Sequence, residues 1–316
     1  MRWMKDEGYA EQMRTEVEPF LAARLESGFD ERVKGEPIYF EHYRADAPRA
    51  VVVISHGFTE SARKYAESIY YMLQEGYEVW IVEHRGHGRS FRLNDNPYVV
   101  HAVRFDDYVE DLLHLVETRV KPASGELPLY LYCHSMGGCV GARLIERCPD
   151  LFQKAVLSSP MLGLSFGKIP LPAAALIARL KSIGAGAKEP LSPVTEFRRE
   201  RFEESAGNSE PRFDWYFALR LAEQKFQTCA PSTAWGRESI RACALSRRDA
   251  GKVRIPVLLV QAGGDTVVDN RAQDEFAAKA PGCKLLRIPG MRHELYVNST
   301  EELKKYWQPI FDFFNK

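Results

Sequence analysis

The chain has 316 residues, 45 % hydrophobic and 27 % charged, with 43 Lys+Arg against 43 Asp+Glu. This globular mix fits one large domain or two ordinary ones and excludes a disordered, collagen-like or low-complexity chain. A net charge of zero gives no basic field to gather nucleic acid and leaves no acidic tail, and six cysteines without a C-x-x-C pair argue against a disulfide scaffold or a structural zinc.

The opening MRWMKDEGYAEQM has no apolar core of signal-peptide length. Residues 1–36 read as a polar N-terminal helical extension that packs on the main domain. Ile38–Tyr43 alternates apolar and polar residues, as an edge strand does. Ala50–Ser55, AVVVIS, is a β-branched run suited to a strand buried on both faces. A helix is expected over Ser61–Gln74, ended by Gly76, and a strand over Tyr77–Val82. Phe105–Val120 carries apolar residues at helical spacing. Leu129–Cys133 is a strand, Met136–Arg147 a helix and Ala155–Ser158 a strand. The alternation pauses at Pro160 and resumes with strand Val257–Gln261, helix Arg271–Lys279, strand Lys284–Ile288 and helix Ser299–Phe314. This predicts an α/β fold with a mostly parallel central sheet and helices on both faces. The core would comprise residues 37–160 and 251–316. Residues 161–250, rich in prolines and broken helical pieces such as Asp214–Gln227, are expected to be a helical cap insertion over the carboxyl edge of the sheet. Its longest apolar run, near Ile169–Leu180, is too short to span a bilayer, which needs about 20 residues.

The most informative segment is Leu129-Tyr-Leu-Tyr-Cys-His-Ser135-Met-Gly137. A serine between a strand and a helix, with small residues two positions before and after, suits a nucleophile elbow, where Cys133 and Gly137 are expected to crowd each other. The helix N-terminus would favour a developing oxyanion. Seven of the eight histidines precede Ser135, and His293 alone follows it, in a loop after the last expected strand. An acid must hold the base's tautomer. Asp265 supplies one past strand Val257–Gln261, and Asp269 is its rival, with helix capping as an alternative task. The order Ser, Asp, His is that of α/β-hydrolases. The N–H groups of Met136 and Phe58, the latter in His56-Gly-Phe-Thr-Glu60, are the candidate oxyanion hole. His56 is read as structural. The glycine-rich Glu83-His-Arg-Gly-His-Gly-Arg-Ser90 lacks a P-loop lysine and G-x-G-x-x-G spacing, so it is read as a shaped loop under the active site.

Together, His56-Gly-Phe-Thr-Glu60, Glu83-His-Arg-Gly-His-Gly-Arg-Ser90, His134-Ser-Met-Gly-Gly138, Asp265 and His293 resemble the monoglyceride lipase and lysophospholipase branch of the α/β-hydrolases, above all the bacterial lysophospholipase L2 group. The resemblance runs from about residue 37 to the C-terminus. Arg104-Phe-Asp-Asp-Tyr-Val, Leu191-Ser-Pro-Val-Thr and Val267-Val-Asp-Asn-Arg271 support it. It departs at Glu83, where Asp is commoner, and at Cys133. It implies the α/β-hydrolase fold and a serine esterase for monoacyl glycerolipids that needs no metal or other cofactor. It also implies that Glu60 and Lys64 approach the polar head of the substrate.

The expected function is thus release of a fatty acid from lysophospholipid or monoacylglycerol. Two rivals stand beside it: a small aminopeptidase on the same frame, with Glu203 and Glu204 binding the substrate amine, and a non-catalytic binding module. The expected partner is a lipid-like ester, and nucleic acid is not expected. The expected place is the cytoplasm, with the cap able to rest on the inner membrane face. Leu162–Lys181 is apolar with cationic edges, and residues 161–250 hold 14 Lys/Arg against 10 Asp/Glu.

Overall fold

The computed structural model describes residues 1–165 and 171–316. A helical run over residues 9–22 (α1) leads into β1 (Leu25–Asp30), β2 (Ile38–Tyr43) and β3 (Ala50–Ser55). Then follow α2 (Ala66–Gln74), β4 (Tyr77–Val82), α3 (Asp106–Leu115), β5 (Leu129–His134), α4 (Met136–Arg147) and β6 (Lys154–Ser158). The stretch after β6 carries α5 (Leu171–Lys181), α6 (Glu210–Ala222) and α7 (Thr233–Asp249). The chain ends with β7 (Val257–Ala262), α8 (Asn270–Lys279), β8 (Cys283–Ile288) and α9 (Thr300–Asn315).

The eight strands form one sheet in the order β1-β2-β4-β3-β5-β6-β7-β8. β2 runs antiparallel to both β1 and β4, and the remaining pairs are parallel. This is the mostly parallel α/β-hydrolase sheet. Every residue of β3, β4, β5 and β7 is buried, as continuous apolar runs require when helices cover both faces. Alternation along β3 divides the interior. Val51 and Val53 join the cluster built with α3, α4, α7 and α8, while Val52 and Ile54 join the one built with α1, α2 and α9.

Four expectations change. The N-terminal extension is not wholly helical: Leu25–Asp30 is the edge strand, and Ile38–Tyr43 lies one place inside. The segment LESGFD has little strand propensity, and its pairing with β2 supplies what composition lacks; Gly28 makes room for the Phe40 ring, 3.1 Å from where a Cβ would stand. The Ser61–Gln74 helix opens with a 3₁₀ turn, Ala62–Tyr65. α6 starts at Glu210 rather than Asp214, because Pro211 occupies the first turn, where its missing N–H costs nothing. Finally, α7 buries Trp235, Ala242 and Cys243 in the main core, so a cap boundary at residue 250 falls past a core helix. Of the apolar stretch Leu162–Lys181, residues 166–170 lie outside the described residues.

The N-terminal segment is tied into three distant elements. The buried Arg212 of α6 donates to both carboxylate oxygens of Glu67 on α2, each at 2.8 Å, and to Met4 O and Asp6. Tyr9 and Tyr71 hydroxyls donate to the same Glu67 carboxylate, and Asp6 accepts from the Thr300 N–H at the start of α9.

Candidate active site

Ser135 joins β5 to α4 with φ 51° and ψ −116°, an unfavourable backbone for a residue with a Cβ. The turn can close because glycines follow it. A Cβ on Gly137 would stand 2.1 Å from Ser55 O, and one on Gly138 2.6 Å from Pro160 Cα. The expected crowding of Cys133 against Gly137 is not what limits the turn. Gly137 abuts the β3 end, and the Cys133 thiol lies over Gly141, where a Cβ would be 2.3 Å from it. Cysteine fits because the helix facing it carries a glycine.

Ser135 Oγ lies 2.8 Å from His293 Nε2, and His293 Nδ1 lies 2.7 Å from Asp265 Oδ2. An ionised carboxylate can only accept, so Nδ1–H donates to Asp265, and Nε2 is left to accept the serine proton. Asp265 Oδ1 accepts from the N–H groups of Val267 and Val268 at 2.8 and 3.1 Å. Burial alone would raise the Asp265 carboxyl, but His293 and these backbone donors hold it below the usual range. Asp269 instead caps α8, accepting from Arg271 N–H at 3.0 Å. The structure thus brings Ser135, His293 and Asp265 together and sets Asp269 apart.

Met136 opens α4, and Phe58 lies in the wall of the adjoining cavity. The clash that forbids a Cβ on Gly137 extends to His56 O, so the loop after β3 abuts the α4 N-terminus. Among the described residues, neither the Phe58 nor the Met136 N–H donates a hydrogen bond. His56 is spent on structure: its Nδ1 bonds Gly57 O at 2.7 Å, and its Nε2 accepts from His84 N–H at 2.9 Å. The 83–90 loop wraps a carboxylate. Glu83 accepts from the N–H groups of Arg89 and Ala62 and from the Arg89 guanidinium, and a Cβ on Gly88 would lie 2.1 Å from Glu83 Oε2.

The cavity beside Ser135 has a volume of about 240 Å³, and its lining includes Glu60, Lys64, Tyr216, Phe217 and Glu294. Glu60 is buried and accepts from Gly57 N–H, from the Tyr65 and Tyr296 hydroxyls and from Lys64. Burial opposes its ionisation, yet Lys64, His134 and the two hydroxyls hold its carboxyl well below the usual range. Burial would likewise lower Lys64, but Glu294 and Glu60 reverse this and raise it. Sequence reasoning missed Glu294, Tyr65 and Tyr296. The acidic residue directly after His293 was the available signal. Of the acids proposed for an amine substrate, Glu204 lines the cavity but pairs with Arg201, and Glu203 is not in the wall. Among the described residues, no cluster of His, Cys, Asp and Glu could hold a metal ion.

A family model described as "Serine aminopeptidase, S33" matches residues 46–300. Lysophospholipase L2 of Escherichia coli K12 is 32 % identical over 289 residues, covering 89 % of this chain and 84 % of that protein. Human monoglyceride lipase is 25 % identical over 244 residues, covering 75 % of this chain and 72 % of its own. Among solved structures, a soluble variant of Saccharomyces cerevisiae monoglyceride lipase in complex with a substrate analog superposes with a TM-score of 0.73 at 17 % identity, over 92 % of this chain and 94 % of that one, a likeness of fold.

Proposed function

Because the chain belongs to the serine aminopeptidase S33 family of α/β-hydrolases, we propose that it is a serine carboxylester hydrolase that releases a fatty acid from lysophospholipid or monoacylglycerol. The carrying observation is the hydrogen-bonded series Ser135–His293–Asp265, whose serine and histidine line a cavity walled by Phe58, Phe213, Tyr216 and Phe217 together with charged residues such as Lys64 and Glu294. The relatives named lysophospholipase L2 and monoglyceride lipase support the substrate class.

In this reading Ser135 Oγ attacks the ester carbonyl while His293 Nε2 takes its proton. Asp265 stabilises the imidazolium, and the N–H groups of Phe58 and Met136 receive the oxyanion. His293 returns the proton to the leaving alcohol, then activates the water that frees the fatty acid. Glu60 has its oxygens engaged by protein donors, so it acts on a polar head through Lys64, which it holds in the wall together with Glu294. A membrane or micelle face is offered by α5, where Leu176, Ile177 and Leu180 are 57, 45 and 59 % exposed beside Arg179 and Lys181. No helix among the described residues is long and apolar enough to cross a membrane.

The experiment is hydrolysis by wild type and Ser135→Ala of p-nitrophenyl esters from two to sixteen carbons, lysophosphatidylcholine, a monoacylglycerol and an aminoacyl anilide. Ester cleavage that falls on the order of 10⁴–10⁶-fold in the variant supports the reading. Cleavage of the anilide alone returns the function to an aminopeptidase, and a variant keeping a tenth of the activity ends the serine mechanism.

A further inference from the structure

The loop that carries His293 is bonded on both sides of that residue to one short piece of the stretch between β6 and β7. On one side, the Arg292 N–H donates to Asn208 Oδ1 at 2.9 Å. On the other, the Glu294 N–H donates to Ala206 O at 2.9 Å, and Asn208 N–H donates to Val297 O at 2.8 Å. The Arg292 guanidinium reaches the same piece. Its Nη1 lies 3.3 Å from Phe202 O, 3.3 Å from Ser205 O and 3.1 Å from Gly207 O. Among the described residues Arg292 pairs with no carboxylate, and its charge is spent on these carbonyl dipoles and on the Phe202 ring, whose centre lies 5.7 Å from the guanidinium carbon.

Approach this close needs a glycine: a Cβ on Gly207 would stand 2.6 Å from Val297 Cγ1. On the opposite side of the loop the tie is lighter. Gly290, at φ 72°, forms the turn after β8, and Gly264 N–H bonds Met291 O at 2.8 Å. The segment 202–208 also supplies Glu204, Ser205 and Ala206 to the cavity wall beside Ser135.

We propose that Arg292 is a positioning residue for His293: by gathering the carbonyls of Phe202, Ser205 and Gly207 it clasps segment 202–208 to the loop and sets the imidazole between Ser135 and Asp265. The clasp makes one body of the base and a wall of the substrate cavity, so whatever displaces that wall displaces the base. It does not touch substrate and takes part in no proton transfer. The inference rests on the serine-hydrolase reading, in which His293 is the base.

The test compares wild type with Arg292→Ala, Arg292→Lys and Gly207→Ala on p-nitrophenyl butyrate, with active sites counted by a fluorophosphonate probe. A base misplaced by about 1 Å costs on the order of 100-fold. Arg292→Ala and Gly207→Ala should therefore lose roughly 10- to 100-fold in kcat with KM changed less than about threefold. Lysine, which can reach one of the carbonyls, should recover part of the loss. The His293 ring titration, followed by NMR without turnover, should move its midpoint in the alanine variants. If kcat per active site stays within about threefold of wild type and the titration is unmoved while Tm falls, the contacts serve stability alone and the proposal is overturned. Should Arg292→Ala fail to fold, Arg292→Lys and Gly207→Ala decide by the same criteria. Ser135→Ala assayed alongside reports on the serine reading only, and the ring titration decides the clasp whatever that assay gives.

Discussion

The Lys64 ammonium lies 2.5 Å from the carboxylate of Glu294, the residue next to His293, although 230 positions separate them in the chain. The same ammonium lies 3.0 Å from Glu60, so one buried cation serves two carboxylates. Lys64→Met leaves both acids facing the cavity without it. Removing one partner of a buried pair costs about 3–5 kcal/mol. A Tm lowered by several degrees is expected in calorimetry, together with a raised KM for glycerolipid esters. An unchanged Tm would mean that the pair is fully solvated in solution.

Asp265 and Asp269 should fail differently. Asp265→Asn no longer favours the Nδ1–H tautomer, and kcat should fall heavily; the corresponding change in a serine protease costs about 10⁴-fold. Asp269→Ala removes the α8 cap, worth about 1 kcal/mol, and should lower Tm slightly while sparing most activity. Steady-state kinetics and thermal melts of the two variants check this, and reversed phenotypes would move the acid to Asp269.

The exposed apolar residues of α5 should matter only at an interface. Replacing Leu176 and Ile177 by Ser is expected to reduce hydrolysis of lysophospholipid micelles more than that of a soluble short ester. Equal losses on both substrates would indicate a folding defect and remove the surface role.

Stability should have an acid limb set by four buried histidines. Burial lowers His56 from its ordinary 6.5 to about 4 and His134 to about 3, and lowers His84 and His87 well below the ordinary value. Each is neutral in the folded chain and takes a proton in the unfolded chain below pH 6.5. The contribution of these rings is therefore full above about pH 6.5 and falls as pH drops towards 4, while Glu83 and Glu146, raised by burial to about 7 and about 8, bind protons in the folded chain over the same range and offset part of the loss. Each histidine contributes up to about 1.4 kcal/mol per pH unit. Glu60, held low by Lys64, adds a loss of the same sign below its unfolded value near 4.5. Urea melts between pH 4 and 7 of the wild type and of a Glu83→Gln, Glu146→Gln variant measure the slope, and a flat profile in the variant would mean that these rings are hydrated in solution.

The interior strands were legible because burial on both faces leaves no choice of residue; AVVVIS can be little else. β1 was not, since its polar, glycine-containing sequence becomes a strand only by pairing with β2. At the site, Ser135, Asp265 and His293 could be picked out by chain order and by their places after strands. Which glycine made room for Cys133 could not, because the contact to Gly141 depends on how α4 lies over β5. Lys64 was found but its second partner was not: a pair formed across 230 residues leaves no local pattern. Nor does the sequence around Asp214 show that the helix begins four residues earlier, because Pro211 is compatible with a helix only in its first turn.

The fastening of the N-terminal segment has a consequence for the order in which the protein can mature on the ribosome. Glu67 receives the Arg212 guanidinium from 145 residues downstream, and Asp6 waits for Thr300, 294 residues away. Until α6 has emerged, the Glu67 carboxylate has only tyrosine hydroxyls for donors, and until α9 has emerged Asp6 lacks the Thr300 N–H, while the Arg2 and Met4 N–H groups already reach Gln74 and Tyr71 on α2. The last step in fastening this segment therefore belongs to the end of synthesis. A nascent chain stalled before residue 212 would hold its earliest residues by the α2 contacts alone, and added resistance to cleavage near Met4 would mark the arrival of Arg212 and then of Thr300.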